Sequence, residues 1–304
     1  MFLGIDIGGT NIKLGIVDEL FNCHKKYLME TPKHKGDIGM VEEIVAMCKN
    51  IYEEIPFEGI GIGTPGKIDA KEGVIEVARN LPYNNTPIIK IFREVFKMPV
   101  EIGNDGDCAA LGEICAGIGK KYDDFVMLTI GTGIGGGIVF NKKLYKGISN
   151  SAGELGHTTI KCDGPECICG NKGCFEMYAS VTALKKQTEE AIIKNPNSLL
   201  AELGKYQITG KTAFDAAKQG CLAGQKVVET YIEYIAFGIK NIIRVFDPQA
   251  IVLGGAISNE GETLLNPLIK KLPQNQNRHI IISHLGNDAG IIGAASLCMK
   301  KVNK

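Results

Sequence analysis

Four residues in this sequence have the types and spacing of a metal site: His157, then Cys167, Cys169 and Cys174, in a glycine-rich stretch. Three thiolates and one imidazole make a soft, closed, tetrahedral donor set, the environment structural Zn2+ prefers. The spacing is not that of a zinc finger, and Cys162 is a rival ligand. A disulfide is the competing use of the same thiols. The chain has ten cysteines and shows no sign of export, and a reducing cytosol keeps thiols free, so zinc is the expected occupant. Glu154 and Glu176 flank the cluster on a loop that a metal would hold in place. A metal-bound His157 has its tautomer set, which leaves the other ring nitrogen to face a ligand.

Two further segments carry chemistry in their backbone. Leu3–Val17 and Val126–Phe140 each read as an apolar run, a cluster of glycines with threonine, and a second apolar run. That pattern is a β-hairpin with an almost bare turn. Glycine there is expected to take φ > 0 and to let N–H groups approach a ligand closely. N–H donors beside a hydroxyl form an anion cradle suited to phosphate, and two copies suggest two related halves gripping one polyphosphate, ATP. The cradle residues are Gly8, Gly9, Thr10 and Asn11 in the first turn, and Thr132, Gly133, Gly135 and Gly136 in the second. Gly254 and Gly255, where the strand Ala250–Leu253 runs out, are expected to join the nucleotide set. Asp6, a carboxylate in an apolar strand, needs a partner; Mg2+ on the ATP phosphates, held through water, is a suitable one. Gly61–Lys67 imitates a P-loop, but Ile68 stands where Ser or Thr would bind Mg2+ and no helical pattern follows. Gly131–Gly136 fits G-x-G-x-x-G but leads into a strand, so the dinucleotide reading is rejected as well.

Asn104-Asp105-Gly106-Asp107 follows directly on the strand Val100–Gly103. These are turn-forming residues, and Asp107 is expected to cap a helix over Asp107–Ile118. Ligands of α/β folds bind beyond the carboxyl ends of strands, which makes Asp105 a candidate catalytic residue.

The elements that must position these residues alternate along the chain. Val41, Ile44, Val45, Cys48, Ile51 and Ile55 repeat with a helical period, a strand follows at Gly59–Gly63, and a helix is expected near Pro87–Phe96. The second half opens with the strand Asp124–Ile130. A long amphipathic helix spans Lys226–Phe246 with Val227, Tyr231, Ile235, Ile239, Ile242 and Phe246 on one face. A last helix, Asp288–Lys300, carries Gly293, Ala294 and Ala295, small residues that permit close packing. The class is α/β. With 304 residues there is room for two domains. Lys+Arg and Asp+Glu are both 34, so no field recruits nucleic acid or an anionic membrane. The uncharged stretch near Phe125–Asn141 is broken by glycines and threonines and reads as a buried hairpin, not a membrane span. Met1 leads straight into the first hairpin, so neither a leader nor a membrane anchor is expected, and a cytoplasmic protein is.

The pieces Asp6–Asn11, Gly63–Gly66, Asn80-Leu81, Asn104-Asp105, Gly131–Gly137, Gly153–His157 and Cys167–Glu176, in this order, resemble the ROK family (repressor, ORF, kinase). Its members include bacterial glucokinases and N-acetylhexosamine kinases. The resemblance implies an actin-like (ribonuclease H-like), two-domain ATPase fold with its active site in the interdomain cleft. The domains expected are residues 1–117, joined by the C-terminal helix 288–304, and 118–287 with the zinc loop. It implies Asp105 as general base, Asn80, Asn104, Glu154, His157 and Glu176 as sugar-hydroxyl ligands, and zinc on His157, Cys167, Cys169 and Cys174. Cys162 falls outside that pattern. Many members carry a tryptophan shortly after the position of Asn80-Leu81; this chain has no Trp and shows Tyr83-Asn84-Asn85, which leaves the sugar open.

The expected activity is transfer of the ATP γ-phosphoryl group to the 6-hydroxyl of a hexose, glucose first and N-acetylmannosamine or N-acetylglucosamine as the alternatives. The partners are the sugar and ATP, with Mg2+, in a homo-oligomer expected to be a dimer. A sugar-sensing repressor is disfavoured, because no helix-turn-helix precedes the hairpin at Leu3 and the charge is balanced. An actin-like assembly protein would have no use for the zinc loop.

Overall fold

The computed structural model describes residues 1–78, 80–273 and 278–302. The chain separates into two compact units. The first is Met1–Asp123, Gly137–Gly153 and the chain from His284 onward; the second is Asp124–Gly136 and Glu154–Ser283.

In the first unit, β1 (Phe2–Ile7), β2 (Asn11–Val17) and β3 (Cys23–Glu30) form an antiparallel meander. After α1 (Gly36–Glu54), β4 (Ile60–Thr64) pairs parallel with β1. A small antiparallel sheet follows, made of β5 (Lys67–Asp69), β6 (Val74–Val77) and β7 (Asn84–Thr86). Then come α2 (Ile88–Phe96), β8 (Val100–Asn104), which pairs parallel with β4, and α3 (Asp105–Cys115). The main sheet runs β3-β2-β1-β4-β8.

Period-two alternation sorts β1 onto two faces. Leu3, Ile5 and Ile7 enter a core with Met40, Val41, Ile44 and Cys48 of α1 and Ile88 and Phe92 of α2. Phe2 faces the other way, into a cluster with Ile291, Ile292, Ala295 and Cys298. Gly4 and Asp6 share that second face, so the pleat that buries Ile5 also turns Asp6 toward the last helix. A Cβ on Gly4 would stand 2.1 Å from the Ile291 carbonyl oxygen.

In the second unit and the strands around it, β9 (Phe125–Ile130), β10 (Ile134–Phe140) and β11 (Lys143–Tyr145) lead into the loop region. The helices α4 (Glu176–Ala179), α5 (Val181–Lys194), α6 (Leu199–Gly204), α7 (Thr212–Lys218) and α8 (Leu222–Phe246) follow. β12 (Ala250–Gly254), α9 (Glu262–Lys270) and β13 (His279–Ile282) complete it. The sheet order is β11-β10-β9-β12-β13, with β12 parallel to both β9 and β13. The face expected on the long helix is the buried one: Val227, Tyr231, Ile235, Ile239 and Ile242 are all buried, and Phe246 is half-buried.

The last helix, α10 (Asp288–Val302), belongs to the first unit; the expected positions 303 and 304 lie outside the described residues. It packs against α3 with almost no clearance. A Cβ on Gly293 would stand 1.6 Å from the Cys108 carbonyl oxygen, and one on Gly112 would stand 2.1 Å from that of Ala289. Alanine is favoured over glycine in a helix by about 1 kcal/mol, whereas overpacking a core costs about 1–3 kcal/mol or more. Gly293→Ala is therefore expected to destabilise the protein and lower the urea midpoint. An unchanged midpoint would show that the two helices have room to separate.

Asp107 does not cap the helix after β8. Asn104 does: its backbone is extended, and its side-chain oxygen accepts from the N–H groups of Gly106 at 2.9 Å and Asp107 at 3.3 Å. The helix starts earlier than expected, at Asp105, because β8 runs into the cap without a linker; it ends at Cys115, before the expected Ile118. Asp107 lies inside the first turn, 5 % exposed, with Lys146 Nζ 3.9 Å away.

Candidate active site

Three parallel strands of the first unit end side by side. The register pairs Asp6 of β1 with Gly63 of β4, and Thr64 of β4 with Asn104 of β8. Asp6, Asn104 and Asp105 thus stand at the carboxyl ends of β1 and β8, the two strands that flank β4, where α/β folds place their ligands. The Gly106 N–H donates to Asp105 Oδ1 at 2.9 Å, which orients the carboxylate at the start of α3. Asp6 faces Lys13, its cross-strand partner, at 3.5 Å. Burial pushes the Asp6 carboxyl above the usual carboxylate range, against the opposing pull of Lys13. A Cβ on Gly290 of α10 would stand 2.9 Å from that carboxylate, so the helix closes over it.

The first glycine turn is closed by the Gly8 N–H donating to the Asn11 carbonyl at 3.0 Å. The expected reason for its glycines is only partly right. None of Gly8, Gly9, Gly131 or Gly133 has a positive φ. What glycine supplies is clearance: a Cβ on Gly8 would stand 2.7 Å from the Asn11 carbonyl oxygen, and one on Gly133 would stand 2.8 Å from Glu176 Oε2. Asn80, on the loop between β6 and β7, has its Cβ 3.8 Å from where a Gly9 Cβ would be. That small sheet, which the sequence reading missed, delivers Asn80 to the first turn.

In the second unit, Thr132 lies in the turn between β9 and β10, and Gly135 and Gly136 lie within β10. Gly254 pairs in register with Thr129, and Gly255 has φ +79°, the left-handed region that glycine tolerates. A Cβ on Gly255 would stand 2.6 Å from the Ile130 carbonyl oxygen, so the ends of β12 and β9 meet closely.

The same unit assembles the expected metal ligands. Single donor atoms of His157, Cys167, Cys169 and Cys174 all lie within 4.8 Å of one another. Cys162 is exposed and stands outside this group. The Cys169 and Cys174 sulfurs are 3.4 Å apart, beyond a disulfide bond of about 2.05 Å. His157 turns Nδ1 to the thiols, 3.5 Å from Cys167 Sγ, and Nε2 outward, 3.8 Å from Glu154 Oε2. Burial pushes the Cys167 and Cys174 thiols above their ordinary range, and the neighbouring thiols push Cys174 further. Phe175 anchors the loop: its N–H donates to the Thr158 carbonyl at 2.8 Å, and its ring is fully buried against Gly238 of α8.

Glu176 links the loop to the second glycine turn. Its Oε1 lies 3.4 Å from His157 Nδ1 and accepts from Cys167 Sγ at 3.4 Å. Its Oε2 accepts from the Ile134 N–H at 3.5 Å. A carboxylate so engaged is held in one orientation.

The sequence model of the ROK family matches residues 2–301. The chain belongs to the ROK family. This ROK chain is 33 % identical to the glucokinase of Thermotoga maritima, over 99 % of its own length and 98 % of that protein. It is 32 % identical to the N-acetyl-D-glucosamine kinase of Histophilus somni, over 99 % of its length and all of that protein. Among solved structures, the ROK glucokinase of Streptomyces griseus in complex with glucose and AMPPNP is 33 % identical, with a TM-score of 0.89 over 98 % of this chain and 99 % of that one. The ROK chain has the two-domain actin-like ATPase fold of these sugar kinases. Among the described residues, no helix is long and apolar enough to cross a membrane.

Two cations at the first turn escaped the sequence reading. Lys13 holds Asp6 and also donates to Asn287 Oδ1 at 3.2 Å. Lys33 Nζ lies 3.7 Å from the Cβ position of Gly9. The signal for Lys13 was its register opposite Asp6; Lys33 had none, because the strand that brings it there is mostly exposed and charged.

Proposed function

We propose that this chain is an ATP-dependent hexose 6-kinase whose acceptor is glucose. The observation that carries the reading is Asp105: a carboxylate at the carboxyl end of β8, in the same sheet as β1, which leads into the first glycine turn, with β4 between the two. Full-length similarity to glucokinases, one of them solved with glucose and an ATP analogue, supports the same chemistry.

Asp105 takes the proton from the sugar 6-hydroxyl as that oxygen bonds to the γ-phosphorus. The bond from phosphorus to the β–γ bridging oxygen breaks, and its electron pair leaves on ADP. Such transfers need alignment and charge neutralisation above all. The turns at Gly8–Asn11 and Thr132–Gly136, with Gly254 and Gly255, hold the phosphates. Asp6 would hold Mg2+ through water. Asn80, Asn104, Glu154, His157 and Glu176 bind sugar hydroxyls, each of which both donates and accepts.

The thiol–imidazole cluster fits Zn2+. With Zn–S bonds of about 2.3 Å, tetrahedral ligands stand somewhat under 4 Å apart, in keeping with the separations above. Bound zinc would hold Cys167, Cys169 and Cys174 as thiolates and fix the loop that carries Glu154, His157 and Glu176. A cytoplasmic setting suits a site made of free thiols, and the active species is a homodimer.

A panel of sugars in a coupled ADP-release assay tests the reading. Glucose is expected to give the highest kcat/KM. The Histophilus relative favours a second reading, and a higher kcat/KM for N-acetylglucosamine or N-acetylmannosamine would move the assignment there.

A further inference from the structure

We propose that Lys33 is a catalytic residue of this site, its ammonium group contacting the phosphoryl group as it passes from ATP to the sugar. The inference rests on the kinase reading above. It starts from strand register: β3 runs antiparallel to β2, with Glu30 opposite Asn11, so the chain leaving β3 returns to the glycine turn. Two bonds hold it there. The Thr31 hydroxyl donates to the Gly8 carbonyl at 2.7 Å, and the Thr31 N–H donates to the Thr10 carbonyl at 3.0 Å. Thr31 and Pro32 are buried, and the Lys33 N–H donates back to the Thr31 carbonyl at 2.9 Å. The segment is therefore a fixed bracket on the turn.

From that bracket Lys33 reaches over Gly9. A Cβ on Gly9 would meet Lys33 Nζ at 3.7 Å and Asn80 Cβ at 3.8 Å, with no other atom of the described residues within 4 Å outside its chain neighbours. One bare glycine thus separates a lysine from an asparagine assigned to the sugar, on the turn assigned to phosphate. The transferring group occupies that position in the reaction: behind it is the nucleotide, ahead of it the hydroxyl.

The charges nearby single Lys33 out. Lys13 is held by Asp6, Lys26 by Asp288, and Lys35 by Glu43. Lys33 is exposed and belongs to no ion pair among the described residues. An ammonium group with no carboxylate to neutralise it is a point charge available to phosphoryl oxygens. In phosphoryl transfer, negative charge shifts along the reaction axis, and a cation placed on the moving group stabilises the transition state more than bound ATP.

The test is steady-state kinetics of the full chain with Lys33→Met, Lys33→Arg and Lys35→Met. Removing one preorganised stabilising group typically costs about 10²–10³-fold in kcat, and Lys33→Met is expected to fall in that range with both KM values little changed. Lys33→Arg, which keeps the charge, is expected to recover part of the rate, and Lys35→Met to behave as wild type. A separate readout is binding. Lys33→Met should weaken the complex with ADP, aluminium fluoride and glucose, which imitates the transition state, and leave AMPPNP affinity intact. Wild-type kcat in Lys33→Met overturns the inference. So does a loss confined to the KM for ATP, which would make Lys33 a ground-state phosphate ligand. A wild-type chain that phosphorylates no sugar overturns the kinase reading itself, and Lys33 with it.

Discussion

Asp105→Asn is expected to lower kcat by about 10²–10⁴-fold, roughly 3–5 kcal/mol of barrier, with ATP and glucose affinities nearly intact. The amide has the shape of the carboxylate and can still accept from the Gly106 N–H, so the start of α3 keeps its geometry. It can also hydrogen-bond the sugar hydroxyl, but it cannot take its proton. Calorimetry for binding and steady-state kinetics for turnover separate the two effects. Wild-type kcat in Asp105→Asn would return this residue to the ordinary role of a helix-start aspartate. Asp107→Asn makes a useful contrast. Its carboxylate is buried and faces Lys146, so the substitution should act on the melting temperature and leave turnover largely alone.

Cys174→Ser is expected to lose zinc and sugar binding together. Cys174 is fully buried, its sulfur lies 3.4 Å from both Cys169 Sγ and the His157 carbonyl, and Phe175 beside it fastens the loop to α8. Structural zinc sites contribute on the order of 10 kcal/mol of binding free energy to folding, far more than a single hydrogen bond. Without the metal, His157 and Glu176 lose the frame that orients them. Elemental analysis should find about one zinc per chain in the wild type and in Cys162→Ser, and none in Cys174→Ser. Zinc-free protein that keeps full activity after exhaustive chelation would dismiss the metal and leave the thiol cluster as packing.

Glu176 and Asn104 show how local pattern and tertiary placement divide the explanation of this site. The glycine runs, the Cys3His set and the Asn-Asp pair after a strand could all be read from residue type and spacing, because turns, caps and metal sites draw their chemistry from neighbours in the chain. The long-helix face was legible for a similar reason: a 3.6-residue period writes burial into the sequence. Which of Asn104 and Asp107 caps α3 was not, since both types cap well and the end of β8 decides between them.

By itself, then, the sequence determined the class of fold, the two glycine turns, a Cys/His-rich loop with the donors for a metal and the position of the candidate base; that His157, Cys167, Cys169 and Cys174 gather while Cys162 stands apart was decided by the fold. Tertiary structure alone decided that Glu176 bridges the cluster and the second turn, that Asp6 is covered by α10, and that Lys33 and Asn80 meet over Gly9. These contacts join residues far apart in the chain through register and helix packing. Period and spacing describe what a segment can do with its neighbours, and they hold no information about which distant side chain will arrive beside it.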